Sequence, residues 1–402
     1  GDVAFTSNTF NEDRQRRSTT RPVGLNIEWE YGATNGRLER LMVPGGLYVY
    51  TYNTTTGEVE RITAPDGGSL TIDYDGLLLE RETWAGAVSG SVATTHNADG
   101  LVDSHIVNGV VVDYTYDQDG LPTRAANLTV SRDPVSGLRT GTNLATIATT
   151  STYNEFGELA TYAVQAGTDN LFSYNLDTAT SPRDQMGRVR FKTETIGGET
   201  NTYEYTYDGA GRLSEVRRDD VLIASYGYDA NGNRETVNGQ SVATYDDQDR
   251  LLSYGQTVFG YTPNGELVSR TEGGATTEYV HDVLGNLTQV ELPDGTSIAY
   301  VIDGQNRRVG KRVNGSLVRG YLYKDQLNPI AELDSSGNIV AVFVYGTRGN
   351  VPDYMFNATG DAYRIIADHL GSVRMVVNAT TGEVVQRIDY DEFGNIIRFD
   401  AT

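Results

Sequence analysis

Along this chain an aromatic residue, usually Tyr and often followed by Asp, repeatedly stands four residues before a Gly. Tyr207-Asp208-Gly209-Ala210-Gly211-Arg212-Leu213 is the cleanest copy, and Tyr228-Asp229-Ala230-Asn231-Gly232 follows directly. Further copies run from Tyr116 to Gly120, Tyr153 to Gly157, Tyr261 to Gly265 and Tyr390 to Gly394. His takes the aromatic place in His96 to Gly100 and His281 to Gly285. A unit recurring at such short intervals is the signature of a repeat architecture, which grows by stacking rather than by closing one core.

The residues between the glycines say what one unit is. In Thr202-Tyr203-Glu204-Tyr205-Thr206-Tyr207 alternation places the three tyrosines on one face of a strand. The strand runs into Asp or Asn, which can bond the backbone two residues on, and then into Gly, which supplies the positive φ of a tight turn. Leu213, Leu267, Leu287 or Ile396 then restarts the apolar pattern. Each motif therefore encodes strand, turn and strand, and no window carries a sustained apolar stripe at helical spacing. The 26 Tyr and 45 Gly against 4 Met agree with an all-β chain. Stacked hairpins form one long sheet that must close or protect its edges, and sheet twist winds such a sheet into a spiral or tube.

Along the chain, residues 1–30 read as an irregular lead-in and 31–402 as one continuous β-spiral. Its repeats are looser over 31–150 and regular over 151–367. The opening Gly1, with no Met, reads as a piece of something longer.

Composition removes several classes of function. With 54 acidic against 32 basic residues the net charge is −22, which repels phosphate backbones and anionic membrane surfaces. Nucleic-acid binding is therefore not expected. The acidity reads either as adaptation to salt or as an ordinary solvated surface. Cysteine is absent, so disulfides and thiolate metal sites are excluded. No apolar run approaches the roughly 18 residues of a membrane span, and no stretch resembles a signal peptide.

Each chemical motif has a plainer reading. Asp368, His369 and Ser372 suggest a nucleophilic triad, but a triad is defined by geometry and the stretch reads as a turn. His96, His105, His281 and His369 lack paired metal-ligand spacing. Asp117 to Gly120 and Asp229 to Asn233 resemble the first half of a calcium loop without its closing Glu. Asp246-Asp247 is one of many acidic pairs and has no specificity for glycoside hydrolysis. No cofactor, metal or catalytic residue is expected, and the chain is not read as an enzyme.

Repeated in this way, the Tyr-Asp motif resembles the YD repeats of the Rhs family, which includes the C component of Tc toxins and the repeat shell of teneurins. The most specific stretch is Asp368-His369-Leu370-Gly371-Ser372-Val373-Arg374, followed by Tyr390-Asp391-Glu392-Phe393-Gly394-Asn395. It resembles the opening of the Rhs-associated core region, here 368–402. The resemblance implies a spiralling β-ribbon, a hollow or partial shell, from a secreted or cell-surface parent protein. The expected function is non-catalytic enclosure of a C-terminal toxin or effector, so the expected partner is the parent chain's own cargo polypeptide. The alternative is a teneurin-like adhesion module that binds surface glycans or a protein receptor. The aspartate-dependent self-cleavage motif of toxin relatives does not occur in these residues, so no catalytic residue carries over. The residues singled out are structural: Tyr116, Gly120, Tyr153, Gly157, Tyr207, Asp208, Gly211, Tyr228, Asp229, Gly232, Tyr261, Gly265, His281, Gly285, Asp368, His369, Gly371, Arg374, Tyr390, Asp391 and Gly394.

Overall fold

The computed structural model describes residues 6–22, 25–178 and 180–401. They form 39 strands and no α-helix, arranged as two large antiparallel sheets of 23 and 16 strands. Neighbours in sequence are neighbours in the sheet. Strand Glu199–Tyr207 pairs with Leu213–Arg218, which pairs with Val221–Tyr228.

The Tyr-Asp-x-x-Gly unit shows why. In the Asp208 turn the Oδ1 atom accepts the N–H groups of Ala210 and Arg212 at 2.9 Å, and the Asp208 N–H reaches the Arg212 carbonyl at 2.8 Å. Gly211 closes the turn at φ +88°. The register slips between Thr206 and Tyr207, so each motif Tyr follows a β-bulge. The same slip precedes Tyr116, Tyr153, Tyr228, Tyr261, His281 and Tyr390.

Four of the motif tyrosines then bond the preceding repeat. The Tyr228 hydroxyl donates to the Leu213 carbonyl at 2.7 Å, Tyr207 to Val189 at 2.7 Å, Tyr153 to Arg139 at 2.9 Å and Tyr261 to Leu251 at 2.8 Å. In each case the acceptor lies two residues past the positive-φ residue of the earlier turn. In three of these joints an Arg completes the contact. Arg212 Nε donates to Asp208 at 2.7 Å while its guanidinium lies 4.5 Å over the Tyr228 ring. Arg188 repeats this with Asp184 and Tyr207, and Arg250 with Asp246 and Tyr261. Cation–π contact and a charge-assisted hydrogen bond thus tie one hairpin to the next.

The stretch read as an irregular lead-in carries strands Ser7–Phe10, Arg16–Thr20 and Asn26–Tyr31. Its first turn is a disguised repeat. Phe10 takes the aromatic place and Arg14 the glycine place, at φ +62°. Asp249 and Asn306 likewise stand where Gly is usual, at φ +60° and +68°. Short Asp and Asn side chains tolerate this region, so the unit persists where its spelling changes.

Packing groups the chain into two compact units, each built from separated stretches: 1–111 with 244–340, and 112–243 with 341–402. In the first, Leu70, Ile72, Trp84 and Val107 of one sheet bury against Val309, Leu322, Ile330 and Leu333 of the other. In the second, Leu128, Ile147, Phe172, Tyr354 and Ile366 are fully buried, and the Tyr354 hydroxyl accepts the Asn127 N–H at 3.0 Å. Face-to-face burial of distant segments makes these units, and no local repeat announces it.

Replacing Gly211 with Val is expected to cost about 1–3 kcal/mol, because the position has positive φ. A β-carbon there also comes within 2.5 Å of Arg188 Nη1, one of the groups that joins two repeats. Urea unfolding measures the loss, and an unchanged midpoint would show that the turn does not depend on Gly211.

Candidate functional site

The second unit holds a cavity of about 810 Å³. One wall is the strand Glu199–Tyr207, whose alternation sets Tyr203, Tyr205 and Tyr207 toward the cavity. The Tyr203 and Tyr205 rings lie nearly parallel, 7° apart with centroids at 6.3 Å. These tyrosines are half-buried lining groups rather than sealed core. Facing them are Asp368, His369, Ser372 and Glu392.

Buried charges hold the two sides together. Arg374 makes a bidentate pair with Glu194, both bonds 3.0 Å, and reaches Asp389 at 3.0 Å and the Ile388 carbonyl at 3.1 Å. Lys192 adds a third bond to Glu194 at 3.0 Å and lies 4.6 Å over Tyr203. Burial works to raise the Glu194 carboxyl, yet Lys192 and Arg374 outweigh it and hold the group below its ordinary range. The first unit has a parallel arrangement. Arg307 pairs bidentately with Glu82 at 3.0 Å and with Asp303 at 2.8 Å, while Trp84 Nε1 donates to Asp303 at 3.0 Å. There burial prevails and the Glu82 carboxyl is raised, since no lysine assists and Asp303 and Asp325 oppose its charge.

The Asp368-His369-Ser372 stretch does not assemble a triad. Asp368 Oδ1 accepts the N–H groups of Leu370 and Ser372 at 3.0 Å, and Gly371 closes the turn at φ +95°. The His369 ring packs on Tyr174 with centroids 5.6 Å apart, and its buried Nδ1 has no protein partner among the described residues. Burial, aided by Lys192, lowers the His369 pKa to about 4. Asp117 and Asp229 cap their own turns, as does Asp246, which also holds Arg250. Among the described residues no group of three or more His, Asp or Glu is placed to hold a metal ion.

The remaining motif residues take repeat positions. Gly120, Gly157, Gly232, Gly265, Gly285 and Gly394 adopt φ from +75° to +96°. Asp391 Oδ1 accepts the Phe393 and Asn395 N–H groups, at 3.0 and 2.8 Å. The residues inside that turn also dock. Glu392 accepts the Tyr226 hydroxyl at 3.0 Å, and Phe393 meets the Tyr226 ring edge-on at 4.8 Å. The Arg that follows some of the turns, at 188, 212, 250 and 307, is a further recurrence visible in the sequence.

The family model described as "Teneurin YD-shell" matches residues 3–400. The chain belongs to the teneurin YD-shell family. It is similar to Teneurin-4 of Mus musculus, 31% identical over 225 residues, or 53% of this chain and 8% of that protein. It is also similar to the tRNA nuclease WapA of Bacillus subtilis (strain 168), 28% identical over 214 residues, or 49% of this chain and 8% of that protein. The matched stretch, about half of this chain, thus spans about 8% of the length of each of these relatives. Among solved structures, TcdB2-TccC3-TEV covers 100% of this chain and 27% of its own, at 13% identity and a TM-score of 0.44. No helix among the described residues is long and apolar enough to cross a membrane.

The histidine and carboxylate shifts give this YD-shell chain a defined response to acid. The unfolded chain protonates His369 near its ordinary 6.5 and the folded chain only near 4. Between those values the unfolded state binds more protons, so stability falls as pH drops through that window. Glu194 acts in the same direction. Its carboxyl is held below the ordinary value, so its contribution is present above the unfolded pKa and is lost as pH falls. The urea midpoint is therefore expected to be lower at about pH 4.5 than at about pH 7, with His369→Phe reducing the difference. An identical pH dependence in that variant would remove His369 from the account.

Proposed function

We propose that this chain is a non-catalytic YD-repeat shell whose parent protein uses it to enclose and carry a C-terminal toxin or effector polypeptide. The observation that carries this reading is how the repeats use their reactive groups. The hydroxyls of Tyr153, Tyr207, Tyr228 and Tyr261, the carboxylates of Asp184, Asp208 and Asp246, and the guanidiniums of Arg188, Arg212 and Arg250 are all spent joining one hairpin to the next. Chemistry of that kind builds a wall. Edge-paired sheets satisfy backbone groups and keep solvent and proteases from what lies behind them. The relative named as a tRNA nuclease agrees with the carrier reading, since the matched stretch is only 8% of that protein. The parent protein is read as secreted or displayed at the cell surface.

Limited proteolysis of the parent protein, before and after denaturation, tests the proposal. A C-terminal fragment protected natively and cut after unfolding is the expected result. A fragment cut equally fast in both states overturns it.

A second reading, an adhesion module, is favoured by the near-parallel Tyr203 and Tyr205 rings, which border the cavity beside the exposed Arg218. Such a platform suits the apolar face of a sugar ring. A saturable hit in a glycan screen, lost in Tyr203→Ala, would favour adhesion, and no hit would leave the carrier reading alone.

A further inference from the structure

A second and much smaller cavity in the same unit, about 20 Å³, is lined by Arg139, Arg348 and Arg364 together with Asp353, Thr149 and Tyr162. That volume is on the scale of a single water or monatomic ion. Three arginines thus line it against one carboxylate.

The carboxylate is already committed. Asp353 Oδ2 accepts the N–H groups of Gly346 and Thr347 at 2.7 Å. Its Oδ1 accepts the Thr347 hydroxyl at 2.6 Å and faces Arg364 Nη1 at 3.4 Å. Arg364 is 4% exposed. Its Nη1 donates to the backbone carbonyls of Asp353 and Ile365, and its Nη2 lies 3.3 Å from the Thr142 hydroxyl. Its Nε is buried with no acceptor among the described residues. Arg348 shows the same deficit. Nη2 donates to the Asp368 carbonyl at 3.0 Å, while the buried Nη1 has no acceptor among them.

Two charged donors left unsatisfied in the interior carry a penalty that ordinary packing does not offset. A buried lysine can shed its proton, but a guanidinium cannot. A lone water would accept a hydrogen bond and leave the charge surplus untouched. Tyr162 adds a neutral hydroxyl to the wall. Burial raises its pKa, although Arg364, Arg139 and Arg348 all act against the rise.

We propose that this cavity binds one monatomic anion of the chloride and bromide class, held by Arg348 Nη1 and Arg364 Nε and neutralised by the three guanidiniums. The anion ties Arg139, in the earlier stretch of the unit, to the segment 346–365 in the later one. Sulfate and phosphate are too large for the space.

Crystals of the chain grown in sodium bromide test this directly. An anomalous peak within hydrogen-bond distance of Arg348 Nη1 and Arg364 Nε is expected. In solution the thermal midpoint is expected to be higher in chloride than in gluconate at equal ionic strength. Arg348→Met is expected to abolish that difference. No anomalous peak at the cavity, or peaks only at the surface, overturns the proposal, as do equal midpoints in the two salts. If Arg348→Met does not fold, the bromide peak in the unaltered chain decides alone.

Discussion

Arg374→Ala is expected to lower the unfolding free energy by about 3–5 kcal/mol, the usual range when one partner of a buried ion pair is removed. The size follows from what is left behind. Glu194 is 4% exposed and loses both bidentate bonds, keeping only Lys192. Asp389 loses one bond and keeps Arg387, and the Ile388 carbonyl loses the Arg374 Nε. Because Glu194 and Arg374 lie 180 residues apart, the variant also uncouples the earlier and later stretches of the second unit. Urea unfolding followed by near-UV signal reads the loss. Arg374→Lys should recover only part of it, since an ammonium cannot reproduce the planar fork. A loss below about 1 kcal/mol would place the pair among exposed bridges of little consequence.

Arg307→Met is expected to be equally damaging in the first unit, and Glu82→Met with Arg307→Met together much less so. The single change strands Glu82, 3% exposed, without a cation. The double change removes both charges and leaves Asp303 satisfied, because Trp84 Nε1 and the Gln305 N–H still reach it. Replacing a whole buried pair by apolar side chains is often neutral, whereas breaking it costs about 3–5 kcal/mol. The double variant should therefore recover most of the single variant's loss, which a double-mutant cycle measures directly. A double variant as unstable as Arg307→Met would mean that Arg307 acts mainly through Asp303 and its place 4.9 Å over Trp84.

The repeat itself is legible because all its parts lie within a few residues. Asp229 caps Asn231 and Asn233, Gly232 takes positive φ, and the bulge sits just before Tyr228. Only where spelling drifts, as at Phe10 with Arg14 or Asp303 with Asn306, does the unit escape a search for Tyr and Gly. The hydrogen bond from Tyr228 to Leu213 spans one hairpin and follows from the same spacing, yet it needs the register to be known. The site is less legible. Asp368, His369 and Ser372 adjoin in sequence but serve a turn, while Glu194 and Arg374 carry no mark of each other.

The sequence alone therefore determined an all-β chain of stacked hairpins, since turn chemistry acts over two to four residues and alternation over two. Only the tertiary structure decided which stretches share a unit, which charges are buried in pairs, and where cavities such as the one behind Tyr203 and Tyr205 lie. Those outcomes depend on sheets packing face to face across well over a hundred residues of chain, where burial and register, rather than local spacing, select each partner.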